Sequence, residues 1–470
     1  MAVLEADYLV VGAGAMGMGF VDALIDCADV SVVMVDRRHG VGGHWLDAYP
    51  FVRLHQASAL YGVASTPLGG GRIQERGPEA GLHERATAPE ICAYYDRILR
   101  DRLLASGKVS FHSNCDYLGG GRFVSLISGR QHEVRVRRSV VDARYLTPDI
   151  PSLMPPPFEV ADGAHVIPIN DLVGLGCAAS QYVIVGAGKT ATDACVWLID
   201  NGVDPDAICW VRPRDPWMLN RAVIQPEPAT FIGAAADTMQ AASESVSADE
   251  MFCRLEDAGV MLRIDGSVTP TMARTPTIAQ WELDRLRMIE NVVRRGHLRA
   301  VSPGRLTFDN GEADDAVAVD PDAVIVHCAA RGLRTQPQVP IWGNRTITLQ
   351  PVRAGFPLFG AALSGHVEAT VAVGADADAG NAAKNAICPS STYPNGLAEW
   401  ARMQVTGGRA AAAFSANPDI KAWADQVALN PSRTPPDLME SDELVAAVER
   451  LRKYAALGMS RLTEFAGMPA

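Results

Sequence analysis

A chain that passes from a short apolar strand straight into G-x-G-x-x-G, then an apolar helix, then a second apolar strand ending on an acid has few folds open to it. Here Asp7-Tyr8-Leu9-Val10-Val11 leads into Gly12-Ala13-Gly14-Ala15-Met16-Gly17. The helix that follows carries Phe20, Val21, Leu24 and Ile25, and the strand Val30 to Val35 ends on Asp36. Each glycine has a job in a dinucleotide-binding unit. Gly12 allows the tight turn, Gly14 lets a pyrophosphate approach the backbone, and Gly17 lets helix settle on strand. The helix start at Ala15 and Met16 offers unpaired N–H groups and the positive end of the helix dipole to phosphates. Asp36, with Arg37 beside it, is placed to meet the hydroxyls of an adenosine ribose.

The second informative stretch follows at once. Arg37-Arg38-His39-Gly40-Val41-Gly42-Gly43-His44-Trp45 puts a double glycine and an aromatic directly after the second strand. A plain nicotinamide-nucleotide domain does not require glycine there. A dinucleotide carrying a flavin does, because the chain must pass close to its pyrophosphate and ring. Gly43, His44 and Trp45 are therefore candidate cofactor contacts. Tyr49, Arg53, His55 and Gln56 would then lie near the ring, with Arg53 and His55 as candidates for the catalytic role.

At 470 residues the chain is longer than the roughly 250–300 at which single cores stop growing, so at least two domains are expected. A net charge of −12 with no basic run argues against a nucleic-acid or anionic-membrane surface. The nine cysteines form no C-x-x-C and show no zinc-like spacing. They read as buried, reduced thiols, with no metal site and no disulfide-reductase dithiol. Tyr8 to Val21 is apolar but lacks a basic leader and is explained by the nucleotide fold, so a soluble, cytoplasmic protein is expected.

Along the chain, Thr87-Ala88-Pro89-Glu90 starts a helix running to Ala105, whose stripe Ile91, Tyr94, Tyr95, Ile98 and Leu99 reads as core. Val109 to Phe111, Phe123 to Ile127 and Val134 to Val141 read as a small β-meander, and the proline-rich Thr147 to Phe158 as a linker. Then the first pattern returns. Gln181-Tyr182-Val183-Ile184-Val185 runs into Gly186-Ala187-Gly188-Lys189-Thr190-Ala191, an apolar helix through Ile199, and a strand from Ala207 to Val211. A Walker loop would need glycine at 183, where valine stands. Where the first copy has Asp36 the second has Trp210, followed by Arg212 and Arg214. Losing the ribose carboxylate and gaining arginines suits a 2′-phosphate, so NADPH is expected on Gly186, Gly188, Lys189, Thr190, Arg212 and Arg214.

From about residue 224 to 298 the composition is helical and amphipathic, with Ser247-Ala248-Asp249-Glu250 capping one helix and Thr277 to Arg295 forming another. Arg305 to Glu312 reads as a hairpin turning at Asp309-Asn310-Gly311. Ala323 to Ala330 is a buried strand returning toward the first domain. Three alanine-rich helical stretches end the chain. The last starts at Ser441-Asp442-Glu443 and presents Leu444, Val445, Val448 and Leu451 to the body or to a partner subunit.

The combination of two fingerprints, the first with an acid and a GG-aromatic segment and the second with arginines, resembles the two-dinucleotide-binding flavoproteins. Within them it is similar to the flavin-containing (class B) monooxygenases, whose GG-T-W element looks like Gly42-Gly43-His44-Trp45. The resemblance implies an α/β fold of two Rossmann-like domains, a small β-meander and a helical C-terminal region. The FAD domain would take residues 1–160 and 331–470, with the NADPH domain, 175–330, inserted. It implies FAD on Gly12, Gly14, Gly17, Asp36 and Gly43, NADPH on the second copy, and molecular oxygen with a small organic molecule as reactants. The reaction implied is monooxygenation through a C4a-hydroperoxyflavin, with a homodimer as the default assembly. Three departures accompany it. Phe158, Gly163 and His165 do not keep the spacing of the F-x-G-x-x-x-H-x-x-x-(F/W/Y) fingerprint; Ala143-Arg144-Tyr145 stands where A-T-G is usual; and no G-D dipeptide lies near Phe356 to Gly365. Two alternatives stay open at this level: an FAD-dependent dehydrogenase or reductase without oxygen activation, and a structural or regulatory flavoprotein.

Overall fold

The computed structural model describes residues 2–309, 316–330, 332–333, 336–371 and 377–469. Two parallel sheets organise it. In the first, Ala2–Val11 lies between Val32–Val35 and Gln131–Asp142. Val109–His112 extends it beyond Val32–Val35, and Thr346–Thr348 joins parallel to Gln131–Asp142. In the second, Tyr182–Val185 lies between Ile208–Val211 and Val324–His327, extended by Val292–Val293 on one side and His165–Pro168 on the other. The fingerprint strand is central in both, so both glycine turns open at the carboxyl edge of a sheet. Val32–Val35, Tyr182–Val185, Ile208–Val211 and Val324–His327 are buried at every position. Continuous apolar runs are what parallel strands covered on both faces require.

Several expected elements are redrawn. Val109–His112 is no part of the meander. It pairs parallel with Val32–Val35, and the antiparallel ribbon is Cys115–Gly119, Arg122–Ser125 and Gln131–Asp142. Thr277 to Arg295 is not one helix, because Met272–Ile278 is a strand against Pro216–Asn220 and only Gln280–Leu286 is helical. The amphipathic segment does contain the helices Pro228–Glu244 and Ala248–Asp257, the second capped by the Ser247 hydroxyl. Towards the end stand four helices, Ala377–Ile387, Leu397–Ser415, Pro418–Ala424 and Asp442–Phe465. The last of these packs along Pro228–Glu244, burying Leu444 while Val445 stays exposed. Turn residues Asn310 and Gly311 lie outside the described residues. All nine cysteines are free thiols, and Cys27, Cys177 and Cys253 lie on the surface rather than inside.

The helix Pro357–Thr370 returns the chain to the first sheet by packing along Ala15–Cys27. Small residues make that approach possible. A Cβ built on Gly365 would sit 2.3 Å from the carbonyl oxygen of Phe20. Gly365→Ala therefore opposes two effects, a helix-propensity gain of about 1 kcal/mol and an overpacking cost of about 1–3 kcal/mol against backbone that cannot yield. The clash should win, lowering the melting temperature by a few degrees. A melting temperature equal to or above wild type would show that the helices part without cost.

Candidate functional site

At the first fingerprint the backbone explains each glycine. Gly12 sits at φ +103°, and a Cβ on Gly17 would lie 2.0 Å from the Gly12 carbonyl oxygen. Helix Ala15–Cys27 starts at Gly14 with no side chain to cap it, so Ala15 and Met16 lie in a first turn whose N–H groups no cap occupies. The double glycine folds directly over this turn. Gly42 N–H donates to Ala13 C=O at 3.0 Å, Gly42 and Gly43 both take positive φ, and a Cβ on Gly43 would lie 2.9 Å from the Gly14 Cα. Only glycine fits this cradle, and it is the shape a pyrophosphate-bearing cofactor needs. Asp36 is buried at the strand end. Its carboxylate accepts from Ala13 N–H at 2.7 Å and Arg38 N–H at 2.8 Å, so it also braces the glycine loop. Arg37 is exposed, while Arg38 turns to Asp47 at 2.5 Å.

Beyond the double glycine, Trp45 Nε1 donates to the Tyr61 hydroxyl at 2.6 Å. Gln56 is held to Leu60 C=O at 3.3 Å. His44 and His55 are not cations. Burial, aided by Arg38, pulls His44 down to about 4; burial, aided by Lys189 and Arg221, pulls His55 down to about 3. His55 Nδ1 is buried and has no hydrogen-bond partner among the described residues. Arg53 is exposed, lining a cleft of about 300 Å³.

At the second fingerprint Gly186 takes φ +138°, and a Cβ there would lie 2.9 Å from the Cys328 carbonyl oxygen. Helix Lys189–Asp200 starts at Gly188, again without a side-chain cap, and Thr190 stands in its first turn. Lys189 is engaged by carboxylates. Its ammonium is held by Asp193 and by Glu282 at 3.1 Å. Arg212 is buried over the Trp210 ring at 4.6 Å and pairs with Asp215 at 2.8 Å. Its Nε and Nη1 are buried and have no partner among the described residues. Two free donors at the end of the second strand fit an anionic group. Arg214 is half-buried, Arg294 holds Asp215 at 2.9 Å, and Arg274 donates to Asn395 at 2.6 Å. The sequence pointed to Arg212 and Arg214; Arg274 and Arg294 join them only through the strands that fold beside them.

A continuous buried ionic chain joins the two halves of the site. Arg85 meets Glu79 at 2.5 Å, and Glu79 meets Arg221 at 2.5 Å. Arg221 meets Glu282 at 2.6 Å, and Glu282 reaches Lys189 and so Asp193. Asp193 accepts from the Tyr49 hydroxyl at 2.6 Å. Burial alone would raise Glu282, but Lys189 and Arg221 overcome it and hold its carboxyl well below the usual range. Arg221 Nε also donates to the His55 carbonyl at 3.0 Å, and Thr277 donates to the same oxygen. Phe51 stacks on Trp197 with ring centroids 4.9 Å apart. Among the described residues no cluster of His, Cys, Asp and Glu is placed to hold a metal, and no helix is long and apolar enough to cross a membrane.

The histidines set a pH dependence. His44 and His55 have depressed values in the fold, so between about pH 6.5 and 4 the unfolded chain binds protons that the folded chain refuses, at up to about 1.4 kcal/mol per pH unit for each group. Stability is therefore full above that window and lost as pH falls through it. Melting scans from pH 7 to 4 should show a steady decline that His55→Gln makes shallower. Parallel profiles for the two proteins would mean that His55 titrates freely.

Comparison with known proteins agrees with this architecture. No protein-family model matches the chain. It resembles the polycyclic ketone monooxygenase of the thermophilic fungus Thermothelomyces thermophila, with TM-score 0.50, 12% identity, and 99% of this chain and 88% of that one covered. A steroid monooxygenase structure bound to NADP gives TM-score 0.49 and 15% identity over 84% of this chain and 90% of its own. At such identities the likeness is one of fold: the chain has the two-domain α/β fold of the class B flavin monooxygenases. In sequence it is 41% identical over 431 residues to uncharacterized protein Rv2000 of Mycobacterium tuberculosis and to uncharacterized protein Mb2023 of Mycobacterium bovis, covering 91% of this chain and 78% of each relative. The chain belongs to the family of these mycobacterial proteins.

Proposed function

We propose that the chain is an FAD-dependent, NADPH-using oxidoreductase, most simply a monooxygenase that places one oxygen atom on a small organic molecule. One observation carries the reading. The same central-strand sheet occurs twice, ending once on a buried carboxylate beside a glycine cradle and once on a buried arginine with two unpaired donors. The division into an FAD unit, 1–160 with 331–470, and an inserted NADPH unit, 175–330, follows this repetition, with the strand His165–Pro168 drawing the second unit's start forward.

When bound, FAD would supply hydride acceptance and oxygen activation, and NADPH the hydride. The residues would do the following. Gly12, Gly14 and Gly43 admit a pyrophosphate against bare backbone, and Asp36 keeps the loop in place beside the ribose. Arg212, anchored through Asp215, offers Nε and Nη1 to a 2′-phosphate, with Arg214, Arg274 and Arg294 adding positive potential. Phe51, Trp197 and Trp281 line a cleft with the ionic chain that fixes the His55 backbone. A reductase that does not activate oxygen is the second reading. The departure of Phe158, Gly163 and His165 from the family's F-x-G-x-x-x-H spacing favours it.

Purified protein is expected to be yellow and to bleach with NADPH in the absence of air. Product formed on readmitting air separates monooxygenase from reductase, and a colourless protein that cannot be reconstituted with FAD overturns both. Arg212→Ala should raise KM for NADPH about ten- to a hundredfold, the worth of a charge-assisted contact, while leaving KM for NADH nearly unchanged. An equal rise for both nucleotides would remove Arg212 from 2′-phosphate recognition.

A further inference from the structure

We propose that Arg353 is an anion-binding residue of the substrate chamber, and that the substrates are apolar organic acids whose carboxylate meets its guanidinium. The proposal rests on the oxidoreductase reading and names the substrate class for it. Its basis is a contrast among cations. The fully buried Lys189, Arg212, Arg221 and Lys384 each hold a carboxylate. Arg353 is recessed into the protein, yet among the described residues it has neither an ion pair nor a hydrogen bond from its side chain. Its guanidinium stands over the Phe231 ring at 5.7 Å, and Phe356 meets the same ring edge-on at 5.5 Å. Burial pulls its pKa down to about 10. A cation recessed over an aromatic ring is costly without a counter-charge, and a planar guanidinium suits a carboxylate best.

Neighbouring elements link this group to the site. Arg353 lies in a turn closed by Phe356 N–H to its own carbonyl at 3.1 Å, just before helix Pro357–Thr370. That helix has no side-chain cap, so its positive end adds to the arginine. Its first residues pack on Gly19, which also faces the carbonyl of Gly62, next to Tyr61 of the GG-aromatic region. On the other side, Ser391 N–H donates to Pro351 C=O at 2.6 Å. This draws in Tyr393, which is close to Tyr61, and Asn395, which holds Arg274. Aromatic walls with one unmatched cation select an apolar body bearing a negative end. A neutral ketone of the same shape would leave the cation unpaired.

The test compares phenylacetate and decanoate with their methyl esters, by calorimetric titration into the FAD-loaded protein. The acids should bind wild type about tenfold or more tightly than the esters. Arg353→Met should weaken the acids about ten- to a hundredfold while leaving the esters unchanged, as expected for one charge-assisted pair. Arg353→Lys should restore part of the preference. FAD content and melting temperature check that the variants fold. If Arg353→Met does not fold, the wild-type acid–ester comparison and Arg353→Lys still decide. Equal binding of acid and ester, or binding of neither, overturns the proposal. So does loss of FAD affinity with the acid preference intact, which would assign the arginine to the cofactor. Yellow protein that bleaches with NADPH but ignores the acids refutes this proposal alone; colourless protein refutes the reading beneath it.

Discussion

Arg221 is the interaction on which the arrangement of this molecule turns. Its side chain is fully buried, and it touches Glu79 and the His55 carbonyl from one nucleotide unit and Glu282 and Thr277 from the other. Taking such ions out of water costs several kcal/mol each, so the chain from Arg85 to Asp193 is not to be counted as a large net gain in stability. What it gives is specificity. Once formed, removing a single member leaves an uncompensated buried charge worth about 3–5 kcal/mol. The two units therefore have few low-energy ways to meet. The GG-aromatic segment is fixed as a by-product, because the carbonyl of His55 and the hydroxyl of Tyr49 belong to the same network.

Within each unit the constraint is of another kind. Parallel strands buried on both faces leave only their carboxyl edge for polar work, and the glycine turns make that edge accessible to a ligand's phosphates. The two copies then diverge by charge. In the first, a buried carboxylate is satisfied by backbone N–H groups, so negative charge is stable there without a cation. In the second, Trp210 removes the carboxylate and supports an arginine whose remaining donors face no acceptor among the described residues. A net charge of −12 repels anions at long range, so a local group of arginines is needed to hold a phosphorylated ligand at this edge.

Much of this was legible in the sequence, and the rest was hidden for identifiable reasons. Both glycine turns, both central strands and the Thr87 and Ser247 caps follow local rules, and local rules are visible in a single chain. Val109–His112 was misplaced because a four-residue apolar run looks the same whether it pairs parallel or antiparallel. Thr277 and Ile278 read as the start of a helix because the strand they belong to pairs with Pro216–Asn220, far away in sequence. Lys189 illustrates the limit most clearly. Its position in the glycine turn suggested phosphates, but Glu282 decides where its ammonium goes. Glu79, Arg85 and Arg221 carry no motif at all. Nothing short of the tertiary fold shows that they touch.

Arg353 extends the same logic from partners present to a partner required. In the ionic chain, each buried charge is accounted for by a neighbour of opposite sign contributed from another part of the sequence. Arg353 lies over Phe231, which Phe356 meets edge-on, with no such neighbour among the described residues, in the turn that starts the helix packed on the first glycine fingerprint. The buried arginines Arg212 and Arg221 each hold a carboxylate. An unmatched one at the start of that helix is better explained by a molecule that arrives with its own negative charge than by packing. The apolar rings around it then set the rest of that molecule's character, since they can bury hydrocarbon but offer little to a second polar group.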